Sequence, residues 1–186
     1  ALPADTDPQV WIDRNIVTIP GDRVLRVVAV RGGAAVEMAR AGEADSPLRV
    51  VRPAELANAV PAPDDVALDE VGRAFEALSF LDVRRADAST GEPLGTGEFT
   101  ITDGLTVHAA VSRQDEAIWV RFTAAGGEEA ARLNARWRGW AYQVGPWKLK
   151  AFAPAAEDLV PPAPAAGTAP SPEAAEPPSP DAPRTP

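Results

Sequence analysis

The sequence predicts an α+β fold: a mostly antiparallel sheet with its helices packed on one face. Three observations carry this. Residues 97–124 alternate apolar and polar side chains through three consecutive segments, the period of half-buried strands. Segments near 66–77, 128–138 and 147–159 instead space their apolar residues three and four apart, the period of a helix lying on a core. Glycine pairs and prolines fall between these segments, where turns belong.

Taken in order, residues 1–10 are polar and contain proline, which reads as a flexible lead-in. VLRVVAV (24–30) and AAVEMA (34–39) flank Gly32-Gly33, a hairpin signal, and PLRVV (47–51) adds a third strand. Residues 52–65 carry Pro53, Pro61 and Pro63 and read as loop. A helix over 66–77 follows, capped by Asp64 or Asp65, with Leu68, Val71, Phe75 and Leu78 as its buried stripe. LSFLDVRRA (78–86) reads as one strand and STGEPLGTG (89–97) as a loop.

The meander over 97–124 is the most constrained part. Paired strand residues share a face, and this condition selects the loops. A three-residue loop, Thr102-Asp103-Gly104, pairs Ile101 with Leu105 and Phe99 with Val107, and puts Gly104 where a left-handed residue is needed. A two-residue Gln114-Asp115 turn pairs Val111 with Ile118, Ala109 with Val120 and Val107 with Phe122.

After Gly126-Gly127, EEAARLNARW forms a helix with acidic residues in its first turn, where the helix dipole favours them. Ala130, Leu133 and Trp137 share one side, and Gly139 fits a C-terminal cap. Residues 140–144 form a short strand. Pro146 starts a last helix with Leu149, Phe152, Ala156 and Leu159 buried, and Pro154 kinks or splits it. The order three strands, helix, strand thus occurs twice, over 24–86 and 97–144, which suggests duplicated βββαβ halves within a single domain spanning 11–160.

Residues 161–186 hold ten of the twenty prolines and no large apolar side chain, which predicts a disordered tail of polyproline II character. The net charge is −9, of which the tail supplies −2 through Glu173, Glu176, Asp181 and Arg184. An acidic body repels phosphate backbones, so nucleic acid is not an expected partner. The absence of cysteine excludes disulfides and thiolate chemistry. No apolar run reaches the roughly 18 residues of a membrane span. The opening ALPADTDPQV has no initiator Met and reads as the start of a fragment, with any anchor or signal lying upstream.

The stretch WRGWAYQVGPWKLK (137–150) concentrates Trp137, Trp140, Trp147 and Tyr142. At the junctions of helix, strand and helix, such residues usually fill core, each burying about 150–250 Å². A ligand platform is the competing reading. His108, the single histidine, is set by the derived register between Glu98 and Arg121 with Trp119 diagonal. This row can be a proton-transfer site, or a solvated cross-strand charge row worth a few tenths of a kcal/mol per pair. Asp5-Thr6-Asp7 is too small a set for a metal, and Asp64-Asp65 is better used as a helix cap. The GTG at 95–97 precedes a strand and is no phosphate loop. Arg84-Arg85, Arg136, Arg138, Lys148 and Lys150 read as scattered solvated charges.

LNARWRGWAYQVGPWKLKAF with the following EDLV resembles the C-terminal signature of a bacterial family, domain of unknown function 4340. WIDRNIVTIPGDRVLRV (11–27) is similar to that family's segment before the first strand, with a Trp, an Asp-Arg pair and an aliphatic run. The resemblance covers roughly residues 11–160. It implies an extracytoplasmic domain of the bacterial envelope, held by an upstream membrane segment, and an ABC-type membrane protein complex of the gliding-motility kind as partner. It implies no catalytic residues. Gly145 and Pro154 depart from the good helix formers usual near this end and leave the length of the last helix open.

The expectation is therefore a non-enzymatic soluble domain, without cofactor or metal, acting as a scaffold or interaction subunit. Two other readings stand beside it. One is a glycan- or peptide-binding module using Trp119, Trp140 or Trp147. The other is an enzyme centred on His108 with Arg121. Exposure separates them, because two exposed rings lining one groove would favour the ligand module.

Overall fold

In a computed structural model, residues 14–42, 46–86 and 91–161 are described. The lead-in over 1–10, Trp11 and the proline-rich segment from 162 onwards lie outside the described residues. Among the described residues, ten strands and four helices make an α+β architecture, with one open eight-stranded antiparallel sheet and a separate two-stranded ribbon.

The first strands are β1 (Asn15–Val17), β2 (Val24–Arg31), β3 (Ala34–Arg40) and β4 (Leu48–Arg52). The Gly32-Gly33 hairpin forms as expected, with Arg31 opposite Ala34. The predicted 52–65 loop contains a single helical turn, α1 (Ala54–Ala57), begun after Pro53, a residue compatible with a helix start. Helix α2 (Asp65–Gly72) is capped by Asp64, whose carboxylate accepts from the Val66 N–H at 3.0 Å. It ends five residues short of the predicted boundary. Beyond it, the Phe75 carbonyl accepts from Ile19 N–H at 2.9 Å. The stripe Leu68, Val71, Phe75 and Leu78 is nonetheless buried throughout.

The predicted strand 78–86 is divided between two sheets. β5 (Leu78–Ser79) pairs with β1 and β6 (Asp82–Arg85) pairs with β10 (Trp140–Val144). β7 (Glu92–Ile101) begins inside the expected 89–97 loop. Its glycines mark a close approach and not a turn. A β-carbon at Gly95 would lie 2.4 Å from the Val30 carbonyl oxygen, and one at Gly97 would lie 1.9 Å from that of Phe152.

β7, β8 (Thr106–Gln114) and β9 (Ala117–Ala125) form the expected meander. The first loop is as predicted: Phe99 pairs with Val107, Ile101 N–H donates to Leu105 C=O at 2.7 Å, and Gly104 has φ of +75°. The second register is displaced by two. The turn is Asp115-Glu116, which pairs Val111 with Val120, Ala109 with Phe122 and Val107 with Ala124. A shift of two keeps every side chain on its predicted face while changing its neighbour.

Helix α3 (Gly127–Trp137) packs on β9 and β10 follows it, with Gly139 at φ +80°. The predicted 147–159 helix is two pieces, α4 (Lys148–Phe152) and a 3-10 turn at Ala156–Leu159, separated at Pro154. The break rotates Ala156 to the surface, while Phe152 and Leu159 stay buried.

The strand order is β4-β3-β2-β7-β8-β9-β10-β6. Two equivalent βββαβ halves are not what this order gives. In the second half the strand after the helix joins the strand before it, β10 on β9, whereas β6 joins β10 at the edge remote from β4. The core lies on one face of the sheet. Phe75, from beyond α2, meets Phe99 at 4.7 Å between ring centroids, and Phe122 meets Phe152, Trp137 and Tyr142 at 5.5, 5.4 and 6.1 Å. Centroid separations of this kind suit edge-to-face and tilted aromatic packing.

Candidate functional site

Of the aromatic stretch at 137–150, most is structural. Trp137 is 1% exposed, and its indole Nε1–H points to the Ile16 carbonyl at 3.4 Å. Helix α3 is clipped to β9 by Asn134, whose Oδ1 accepts from Ala124 N–H at 2.8 Å while its Nδ2 donates to Ala124 C=O at 2.6 Å. That clip fixes where Trp137 enters the core.

On the sheet face opposite the core, Trp119 is 6% exposed. The Arg84 guanidinium carbon sits 3.8 Å from the centre of its ring. Arg84 opposes Ala141 on β10, and the small side chain there leaves room for it to lie across to Trp119 on β9. The guanidinium–indole attraction helps offset burial of Arg84 Nε and Nη2, which have no hydrogen-bond partner. Arg85, one residue on and therefore on the opposite face, sits 4.5 Å from the Trp140 ring centre. The Arg84-Arg85 pair is thus packed on two tryptophans, where the sequence reading took it for solvated charge. The missed signal is that adjacent strand residues face opposite ways.

The predicted row through His108 is altered by the displaced register. His108 lies between Glu98 and Thr123. Arg121 opposes Ala110 and donates from Nη2 to the Ala86 carbonyl, and Trp119 opposes Ser112. The carboxylate and imidazole are therefore brought together, but the guanidinium is not.

Trp140 and Trp147 are also separated. Half-buried Trp140 lines a cleft of about 200 Å³ with Asn15, Phe80, Val83, Arg136 and Tyr142. Trp147 is 69% exposed, and its ring lies over Gly145, where a β-carbon would meet it at 2.3 Å. It stands at the rim of a groove of about 360 Å³ between α2 and α4, floored by Ala77 and Ala151.

The groove's polar rim was not legible beforehand. Arg73 pairs with Glu76 at 3.0 Å and with Asp69 at 3.5 Å. The Arg73 hydrogen bond holds the Glu76 carboxyl below its usual range. Lys148 donates from Nζ to the Ala74 carbonyl at 3.1 Å. Burial pushes its ammonium below the ordinary lysine range, with Glu70 acting in the opposite sense. Asp69, Arg73 and Glu76 continue into a second concavity of about 490 Å³ lined by Thr18, Pro20, Gly21, Asp22 and Arg40. One exposed indole, a small apolar floor and alternating charges can bind a surface group by stacking and charge-assisted hydrogen bonds.

Among the described residues, no three carboxylate or imidazole side chains converge in a way that could hold a metal ion. Nor is any described helix long and apolar enough to cross a membrane. No family model, curated protein or solved structure matches this chain.

Proposed function

We propose that the chain is a non-catalytic interaction domain that engages a protein partner through the Trp147 groove. The observation that carries this reading is the contrast among its tryptophans. Trp137 and Trp119 are consumed by packing, whereas Trp147 presents most of its ring to solvent at a concave, charge-edged surface. Exposed indoles flanked by charge are typical anchors of protein interfaces, where burial of a single aromatic can dominate affinity. Among the described residues Trp147 is the one exposed tryptophan, which favours a protein contact over a sugar site built from two rings lining one groove. His108 faces a carboxylate and a hydroxyl on a strand face away from both grooves beside α2, an arrangement that supplies no evident substrate cleft.

The cellular setting we propose is the extracytoplasmic side of a bacterial envelope, beside an ABC-type membrane complex. It rests on the motif resemblance at 11–27 and 133–160 alone. The test is affinity capture from solubilised bacterial membranes with the parent chain and with Trp147→Ala. Recovery of ABC-type transmembrane subunits by the parent and their loss with Trp147→Ala supports both parts. Equal recovery by the two chains overturns the Trp147 surface, and absence of such subunits overturns the setting. Saturable quenching of Trp147 fluorescence by envelope glycans would move the assignment to the ligand module.

A further inference from the structure

We propose that the partner protein presents a basic segment to the Trp147 groove: an arginine or lysine side chain stacks on the indole with its charge at Glu70, and a second cation reaches Asp22. This rests on the reading of the groove as an interaction surface and adds the chemistry of what enters it.

The surface is larger than the Trp147 groove alone. The hollow of about 360 Å³ beside Trp147 and the hollow of about 490 Å³ beside Pro20 adjoin along Asp69, Arg73 and Glu76. A segment laid across that border meets Glu70 on the Trp147 side and Asp22 on the other. The basic side chains that line the two hollows are already engaged. Arg40 donates to the backbone carbonyls of Val24 at 2.6 Å and Gly21 at 2.7 Å, and also to that of Ser46. Arg73 is held by Glu76 and Asp69, and Lys148 by the Ala74 carbonyl. Two acids are not engaged. Among the described residues, the exposed carboxylates of Asp22 and Glu70 form no ion pair and no hydrogen bond. Such a surface attracts a cation and gives an acidic segment no unengaged base to pair with. The chain's net charge of −9 steers a basic partner in the same sense.

The indole supplies the second half of the site. A guanidinium or ammonium over an indole face is attracted by the ring's quadrupole. This chain forms that contact twice, with Arg84 on Trp119 at 3.8 Å and Arg85 on Trp140 at 4.5 Å. Trp147, resting on Gly145 and 69% exposed, carries no cation among the described residues. Ala77 and Ala151 beneath it give an apolar floor for the aliphatic part of the incoming side chain.

The test is an NMR titration of the full 186-residue chain, following the Trp147 indole N–H. The probes are a short peptide with arginines on either side of a leucine, and the same peptide with citrulline, which keeps the shape and removes the charge. The arginine peptide should shift the Trp147 resonance saturably, and the citrulline peptide should bind at least about fivefold more weakly. Glu70→Gln should weaken the arginine peptide by about two- to fivefold. Glu116→Gln, an equal change of charge at the exposed β8–β9 turn, should leave its binding unchanged. Equal binding of the two peptides, a loss with Glu70→Gln no greater than with Glu116→Gln, or an unmoved Trp147 resonance overturns the proposal. Membrane capture separates this failure from that of the groove itself. A partner lost with Trp147→Ala but fully captured by the chain carrying both Asp22→Asn and Glu70→Gln overturns the basic segment and leaves the Trp147 surface standing.

Discussion

Gly97 of β7 faces the carbonyl oxygen of Phe152: a β-carbon at this glycine would lie 1.9 Å from that oxygen and 2.9 Å from the Phe99 ring. The end of α4 can lie against the sheet only because residue 97 has no side chain. Gly97→Ala should push the 152–154 backbone away and loosen the aromatic cluster around Phe152. Overpacking of this kind costs about 1–3 kcal/mol. Thr96→Ala, on the opposite face, should stay within about 0.5 kcal/mol. Urea unfolding of the two variants checks the contrast, and a neutral Gly97→Ala would refute the close packing of α4.

Gly104 offers a separate test of the β7–β8 loop. Its φ of +75° is left-handed, and space around it is open, so conformation alone sets the cost. Gly104→Val should be clearly destabilising because a β-branched residue is strained there, and Gly104→Asn milder. Matching urea midpoints for both variants and the parent would contradict this loop geometry.

The two loops of the meander also show what was readable from sequence. Across Thr102–Gly104 a two-residue turn would set apolar Ile101 against Thr106, whereas the three-residue loop keeps Phe99 and Ile101 on the face of Leu105 and Val107 and places Gly104 at the left-handed position, so the register followed. Across the next turn, Val111 against Ile118 and Val111 against Val120 satisfy the same alternation, and a period of two cannot choose between them. That ambiguity misplaced Arg121 beside His108. Gly95 and Gly97 were read as loop because their requirement comes from Val30 and Phe152, contacts remote in sequence. The position of β6 beside β10 and the pairing of Trp119 with Arg84 depend on the same kind of remote contact. Trp137 was legible as core because its helical spacing from Leu133 is local. The exposure of Trp147 was not legible, because it follows from how the short α4 sits against α2.

Arg23 and Glu129 tie the 3-10 turn before β2 to the first turn of α3 through two hydrogen bonds of 2.9 and 3.0 Å. The Arg23 hydrogen bond, against a desolvation penalty, holds the Glu129 carboxyl below its ordinary value of 4.5. A carboxyl depressed in the folded state contributes stability that is present above its unfolded pKa and lost as pH falls through the folded one. Glu129→Gln should therefore lower the thermal midpoint at pH 7 and flatten its decline below about pH 4.5. Midpoints measured from pH 7 down to about pH 3 decide this, and an acid decline as steep in the variant as in the parent would show that the pair does not contribute.

Trp137, Trp147 and His108 give the decisive comparison. Trp137 is 1% exposed and touches Phe122 across the core, so Trp137→Ala should leave a cavity and cost about 3–5 kcal/mol. That is a large part of the ~5–15 kcal/mol that stabilises a domain. Trp147→Ala removes a ring that is 69% exposed and rests mainly on Gly145, and His108→Ala removes a side chain from the face away from the core. Each should cost under about 1 kcal/mol. Partner binding should follow the reverse order, lost with Trp147→Ala and kept with His108→Ala. A neutral fluorescence quencher should reach the native Trp147 indole and not that of Trp137, since quenching requires access to the ring. If Trp147→Ala unfolds at a much lower urea concentration than the parent, this indole is part of the packing and the interaction surface must be sought elsewhere. If His108→Ala is the variant that abolishes function while both tryptophan variants retain it, the row of Glu98, His108 and Thr123 becomes the site, and the non-catalytic assignment fails with it.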